Sequence, residues 1–459
     1  MLPDDVLLEI FDFYMVGASE DEELIDWRDA WQTLVHVCRR WRSVVFGSPR
    51  RLELKLVCTT QTPARDTLDV WPALPLVIES NANNVDNIVA LFKCSDRINQ
   101  ILLWGRYRED ILEAMGVPFP ELTYLSLQHL RKDETETLPL SDSFLGGSAP
   151  RLKYLQLANI PFPGLPKLLS SATHLTNLRL SIPHSGYISP EAMVACLSLL
   201  TSLGELSLQF QSPQSRPGRE SRRLPRQTRT VLPTLSRFCF KGVSEYLENF
   251  VARVDAPRLI FFETTFFNDI DFDTPQFTQF IGRSPTLEAS EKAIVVLWDR
   301  RACIKLSSKT FGDGELNVGI SRRELDWQVS FLEQVCTSSL PSLSALEDLY
   351  ISEHPYEQPV WEDNIDSALW LELLRPFTTV KDLFLSEKIA LCVVPALQEL
   401  VGGRTMEVLP ALQNVFIEGL QPSGPVQEGI GKFVAARQVA SHPIAASHWD
   451  RDQSRIVYY

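Results

Sequence analysis

One spacing returns along most of the chain: an apolar residue, two others, an apolar residue, one other, and a third apolar residue. It stands at Ile98/Ile101/Leu103, Leu122/Leu125/Leu127, Leu152/Leu155/Leu157, Leu175/Leu178/Leu180 and Leu203/Leu206/Leu208. It continues at Leu235/Phe238/Phe240, Leu346/Leu349/Ile351, Val380/Leu383/Leu385 and Leu412/Val415/Ile417. Leu259 and Leu287 open weaker copies, and the double step that follows predicts a degenerate copy near Leu316-Asn317-Val318-Gly319-Ile320. The period-two half of each motif puts alternate side chains on one face of a short strand. The intervening stretch is a return segment, mostly helical. Pro-x-Leu opens several copies (Pro120, Pro150, Pro233, Pro410), because proline ends the preceding helical return and favours extended backbone. A single copy cannot bury its own apolar side, so the copies must stack into one continuous core.

A period of roughly 20 to 29 residues with such a strand is the leucine-rich-repeat signature. The expected fold class is therefore α/β, an irregular leucine-rich-repeat solenoid of strands with mostly helical returns over residues 97–420. Irregularity is expected because the asparagine that closes each regular repeat is absent at its usual offset. Leu130, Ile160, Pro183, Gln211, Val243, His354 and Leu420 stand there instead. A barrel or doubly wound sheet would alternate strand and helix too, with longer units and a catalytic or phosphate-loop signature, and neither is found.

The first fifty residues follow a different period. Val6, Leu7, Ile10, Phe11 and Tyr14 recur at helical spacing after the start signals Pro3-Asp4-Asp5. Trp31, Leu34, Val37, Cys38, Trp41, Val44 and Val45 form a second helical stripe that Gly47-Ser48-Pro49 ends. The acidic run Ser19-Glu20-Asp21-Glu22-Glu23 between them reads as a solvated loop. Two such helices bury too little to stand alone and must lean on the next domain or on another protein. At the other end, Ser423-Gly424-Pro425 starts a capping helix over 421–441 with Ile430, Phe433 and Val434 on one side. Residues 442–459 turn polar and are expected to be a flexible tail. Residues 49–96 are left as a transition and first capping repeat.

Composition narrows the function. A net charge of −14 argues against nucleic-acid or anionic-membrane binding through bulk electrostatics. No run approaches the length of a membrane-spanning helix, and the acidic start is not that of a secretory signal. The eight cysteines include no CxxC pair and are expected to be reduced, in a cytoplasmic and/or nuclear protein.

The opening residues Leu2-Pro3-Asp4-Asp5-Val6-Leu7-Leu8-Glu9-Ile10-Phe11, followed by Leu34-Val35-His36-Val37-Cys38-Arg39-Arg40-Trp41-Arg42-Ser43-Val44, resemble an F-box over residues 1–48. The acidic connection makes this motif longer than the family's usual one. Leu325-Asp326-Trp327-Gln328, Trp370-Leu371-Glu372-Leu373-Leu374-Arg375-Pro376-Phe377 and Leu409-Pro410-Ala411-Leu412-Gln413-Asn414 are similar to the leucine-rich regions of the large fungal F-box family. The resemblance implies the substrate-recognition subunit of a Skp–cullin–F-box ubiquitin ligase. It implies that Leu2, Pro3, Val6, Leu7, Ile10, Phe11, Leu34, Val37, Cys38 and Trp41 bind the Skp-type adaptor, and through it a cullin. The alternative is a leucine-rich-repeat scaffold outside any ligase, with these helices as a cap.

The residues between the motif leucines point away from the core. Aromatic and arginine side chains there are the usual anchors of protein interfaces, which nominates Tyr154, Arg179, Tyr350 and Phe384 for an unknown target protein. The basic island Arg216–Arg226 lies between two copies and reads as a solvated loop, with nuclear import as the sharper alternative. Gly312-Asp313-Gly314 is a turn and not a phosphate loop, and no GxSxG elbow occurs. The histidines are scattered without metal-ligand spacing. No enzyme activity, cofactor or metal is expected.

Overall fold

The computed structural model describes residues 2–17, 30–130, 138–211, 229–267, 274–288, 290–308, 314–321, 324–340, 343–359, 366–400 and 402–450. The acidic run at 19–23, the basic island and residues 451–459 lie outside them. The chain divides into two compact units, Met1–Gly186 and Tyr187–Tyr459.

The first unit opens with helices α1 (Asp4–Gly17), α2 (Ala30–Val37) and α3 (Arg39–Gly47). The expected second helix is thus two. Cys38 sits in extended backbone at φ −161°, and its Sγ accepts the Trp41 amide at 3.4 Å, so it ends one helix and caps the next. Six strands follow, β1 (Leu56–Thr59), β2 (Leu76–Asn81), β3 (Ile98–Gly105), β4 (Tyr124–His129), β5 (Tyr154–Ala158) and β6 (Asn177–Ile182). Each pairs in parallel with the next in sequence order. Helices α4 (Ala64–Val70), α5 (Val85–Phe92), α6 (Glu109–Ala114) and α7 (Leu165–Ser171) serve as returns. Residues 49–96 therefore hold two strand–helix units where one capping repeat was expected. Their strands lack the repeating leucine triplet and bury both faces at their starts, where Val57 and Val77 join the inward residues.

The second unit holds α8 (Pro190–Leu197), β7 (Glu205–Phe210), β8 (Thr230–Val231), β9 (Arg237–Gly242), α9 (Ser244–Val251), β10 (Val254–Asp255) and β11 (Phe261–Phe266). Then come α10 (Pro275–Gly282), α11 (Pro285–Glu288), β12 (Lys292–Leu297), β13 (Ala302–Ser307), β14 (Glu315–Ile320) and α12 (Leu325–Gln334). It ends with β15 (Asp348–Glu353), α13 (Ser367–Leu374), β16 (Asp382–Leu385), α14 (Glu387–Gln398), β17 (Asn414–Glu418), α15 (Pro425–Val439) and β18 (Ala445–Trp449). Apart from the small β8–β10 pair, the strands form a sheet in the order β7-β9-β11-β14-β13-β12-β15-β16-β17-β18. Stacked parallel strands with alternating helical returns make this a leucine-rich-repeat-like architecture.

The middle of that sheet departs from a simple array. The copy opened by Leu287 does not lie beside β11: its strand β12 pairs with β15, and β14 takes the place next to β11. Between them β13 runs antiparallel to both. A two-residue loop, Asp299-Arg300, closes the β12–β13 turn, with the Trp298 amide donating to the Arg301 carbonyl at 2.7 Å. β12 is an unbroken apolar run, half-buried at Lys292 and buried from Ala293 to Leu297, which suits the interior of a sheet more than a one-sided repeat.

The core is what the repeating triplets dictate. Every motif residue from Ile98 to Leu208 is buried, as are Leu235, Phe238 and Phe240 and the three late triplets. β9 and β11 use phenylalanine where other strands use leucine. Phe262 stacks on Phe238 at 5.1 Å and meets Phe277 and Phe280 at 5.7 and 5.6 Å.

Residues 442–450 include a strand where a tail was expected. α15 buries Ile430 and Phe433, and β18 pairs in parallel with β17 over Ala445–Trp449. Polar composition hid this strand because backbone pairing at a sheet edge needs no apolar pattern.

Arg437 of α15 is fully buried. Its guanidinium donates to the carbonyls of Leu409 and Val408, the latter at 3.3 Å, and touches Met406 Sδ. Leu409 has a φ of 49°, in a left-handed turn before β17 whose carbonyls the guanidinium satisfies. Burial lowers the pKa of Arg437 from its ordinary value. Arg437→Met keeps the bulk and orphans these carbonyls, and should cost about 2 to 4 kcal/mol in chemical denaturation. An unchanged midpoint would mean that water replaces the guanidinium.

Candidate functional site

The three N-terminal helices form the first surface. Leu7 donates its amide to the Pro3 carbonyl at 3.1 Å, so Pro3 takes the cap position ahead of α1, with Asp4 and Asp5 complementing the helix dipole. Leu7, Leu8 and Phe11 of α1 are buried, as are Trp31, Leu34 and Val35 of α2 and Val44 and Val45 of α3, and α1 packs on both of these helices. The Phe11 and Trp41 rings meet edge to face at 4.9 Å. Trp31 donates its indole N–H to the Lys55 carbonyl at 3.0 Å and packs on Trp71 at 5.1 Å, which fixes α2 to the start of the sheet. Arg42 donates to the Val35 carbonyl at 3.0 Å, satisfying the end of α2. Arg40 pairs with Asp4 at 2.7 Å and also donates to the Leu2 carbonyl. These contacts bring the α2–α3 junction against the first turn of α1.

This packing divides the ten nominated residues. Leu7, Phe11 and Leu34 are buried, so they hold the helices together and offer no surface: a correction to their expected role in docking. Leu2, Val6, Ile10 and Val37 are 41 to 56% exposed, Pro3 and Cys38 are exposed, and Trp41 is half-buried. Phe13, which the motif does not name, is 85% exposed. Positions 6, 10 and 13 fall at steps of four and three, forming one stripe along α1, and Leu2 lies just ahead of its first turn. An apolar stripe left uncovered on a helix that buries its other side marks an interaction surface more than a packing accident.

The outward strand positions form a second surface in each unit. In the first, parallel register aligns Tyr124 with Tyr154 and Gln156 with Arg179. The two tyrosine rings stack at 4.2 Å with an interplanar angle of 5°, and the Arg179 guanidinium lies 5.8 Å from the Tyr154 ring centre. Tyr154 donates its hydroxyl proton to Gln156 Oε1 at 2.7 Å. In the second unit, Tyr350, Phe384 and Phe416 stand in one row at 4.1 and 4.6 Å. Both ladders follow from one cause: in-register repeats place the same outward position at the strand spacing, which matches ring stacking.

Tyr350 is not the open contact expected of it. It is only 9% exposed, in a cluster with Ile294, Val296, Trp298, Cys303 and Trp449, with Phe384 and Phe416 partly covered beside it. The Trp449 ring meets Tyr350 and Phe384 edge-on at 5.9 and 5.6 Å. Lys292 lies 4.2 Å from the Tyr350 ring centre, and desolvation lowers its pKa while Asp348 opposes that shift. Neither Trp449 nor Lys292 was nominated from sequence, because nothing in a polar tail or a weak repeat shows that the register carries them there.

Asn159 was also missed. At φ 64° it donates to the His129 carbonyl at 3.0 Å and accepts the Ser181 hydroxyl at 3.2 Å, bridging turns on either side of its own. It performs the linking role of a repeat asparagine one position before the usual offset. The small cavity beside it, lined by Tyr107, His129 and Asn159, has a volume of about 10 Å³, room for a single water.

The fold and these surfaces define a leucine-rich-repeat-like protein with a helical N-terminus. No protein-family model and no curated protein matches the sequence. Among solved structures, the leucine-rich repeat-containing protein LegL7 from Legionella pneumophila is similar over 82% of this chain and 97% of that one, at 11% identity and a TM-score of 0.30. A likeness of that size carries no weight beside the strand register, which by itself defines the architecture.

Proposed function

We propose that this protein is the substrate-recognition subunit of a Skp–cullin–F-box ubiquitin ligase, holding a Skp-type adaptor on its N-terminal helices and a target protein on its outward strand faces. The observation that carries the reading is the apolar stripe of α1 (Val6, Ile10 and Phe13), with Leu2 just ahead of it, uncovered on a bundle whose other side is packed. Pro3 at the start of α1, and Val37, Cys38 and part of Trp41 at the α2–α3 junction, are open as well. A helical partner with an apolar groove suits such a stripe. Tyr154 and Arg179 supply a stacked aromatic and a cation for the target in the first unit, and the partly covered Phe384, stacked on the buried Tyr350, supplies an aromatic face in the second. Catalysis then needs no chemistry in this chain. Holding a target lysine near the conjugating enzyme raises its effective concentration there.

The packing of Trp31 on Trp71 favours a second reading, in which the helices only cap the sheet of a non-ligase scaffold. Mixing the full chain with a Skp-type adaptor separates the two. A stoichiometric complex on size exclusion is the expected result, and two separate peaks at micromolar concentrations would leave the scaffold reading.

A further inference from the structure

β18 behaves unlike its neighbours. β16 and β17 alternate buried and half-buried positions, as strands anchored in a core do. β18 exposes four successive side chains, Ala445 to His448, and is pinned at its ends by buried Ile444 and Trp449. Between the pins it is held by backbone pairing to β17, including the Ala445 amide to the Gln413 carbonyl at 2.8 Å. Little apolar area accompanies those bonds, and a net backbone hydrogen bond stabilises by only about 0.5 to 1.5 kcal/mol. Trp449 is also the side chain that covers Tyr350 and Phe384.

We propose that the edge of β17 and the aromatic row Tyr350–Phe384–Phe416 form a binding site for an extended peptide carrying an aromatic side chain, and that β18 is the chain's own strap lying in that site. The strap displays what the site selects. An extended backbone of about five residues adds to the sheet edge whatever its sequence, which is the strand-addition mode of recognition. The final aromatic ring then enters the row edge-on, where stacked π-faces favour a ring edge over a polar group. Small side chains suffice between, since Ala445, Ala446 and Ser447 touch solvent. The partner is therefore an exposed extended segment of a target protein, and not a folded surface. The inference rests on reading the outward strand faces as target-binding surfaces, and peptide binding tests it separately from adaptor capture.

A tethered strap competes at an effective concentration in the millimolar range, so an added peptide at micromolar levels cannot displace it. Removing its aromatic pin should change that. The probe is a labelled peptide with the chain's own sequence from His442 to Asp450, measured by fluorescence anisotropy against full-length wild type and Trp449→Ala. Binding to the variant at least 10-fold tighter than to wild type is expected. Tenfold or greater weakening is expected on adding Phe384→Ala, or when the peptide's tryptophan is replaced by alanine. Circular dichroism of each variant reports folding. Wild type supplies a second reading, in which the amides of 445–449 exchange with deuterium at least 10-fold faster than those of 414–418. Equal protection of the two strands, or no peptide binding by a folded Trp449→Ala, overturns the proposal. So does a Trp449→Ala dimer in sedimentation that exchanges β18 between copies, since the occupant would then be a second chain.

Discussion

Ile10→Asp combined with Val37→Asp is expected to weaken adaptor binding about 100-fold or more, because each of two central apolar anchors contributes about 2 kcal/mol at such an interface. Both side chains are about half exposed, at 44 and 56%, so neither substitution opens a cavity or buries a charge. The denaturation midpoint should stay within about 0.5 kcal/mol of wild type. Phe11→Ala provides the contrast. That ring is fully buried against Trp41, and its loss should destabilise the helices by about 3 to 5 kcal/mol. Isothermal titration with a purified Skp-type adaptor and urea denaturation measure the two effects separately. Undiminished affinity in the double aspartate variant would remove α1 from the docking surface and leave these helices as a cap.

Phe262→Ala should cost the second unit about 3 to 5 kcal/mol, the largest stability loss expected there from a single truncation. Phe262 contacts rings from β9 and from α10, so its removal leaves a cavity walled by three phenylalanines that cannot all close on it. Ile260→Ala, two residues earlier and 42% exposed, should change stability by less than about 0.5 kcal/mol. A midpoint for Phe262→Ala near that of Ile260→Ala would mean that the aromatic cluster relaxes to fill the void.

The repeat was legible because its cause is local. A strand with three inward positions needs apolar residues at fixed spacing, and every triplet from Leu122 to Ile417 that met the spacing is buried. β1 and β2 escaped notice because each has near its start a buried valine at an outward position, Val57 and Val77, where the repeat pattern expects a polar residue. β12 to β14 were misplaced for a related reason. Each strand could be read as apolar, yet nothing local states that β14 rather than β12 neighbours β11. The helical stripe of residues 31 to 45 was read without its break, since a cysteine as helix cap is an uncommon signal.

The sequence by itself determined which residues are apolar at strand or helix spacing, and hence the stacked strand–helix units, the N-terminal helices and the helix that closes the chain. Tertiary structure alone decided which faces of those elements stay open. Leu7 and Phe11 lie one position from Val6 and Ile10 on the same helix, and only the placement of α2 and α3 makes one pair core and the other surface. Tyr154 and Tyr350 both stand at outward strand positions, and only the pairing of β18 brings Trp449 over the second. Periodicity is a property of neighbours along the chain, whereas exposure depends on segments far from it in sequence, which no local pattern encodes.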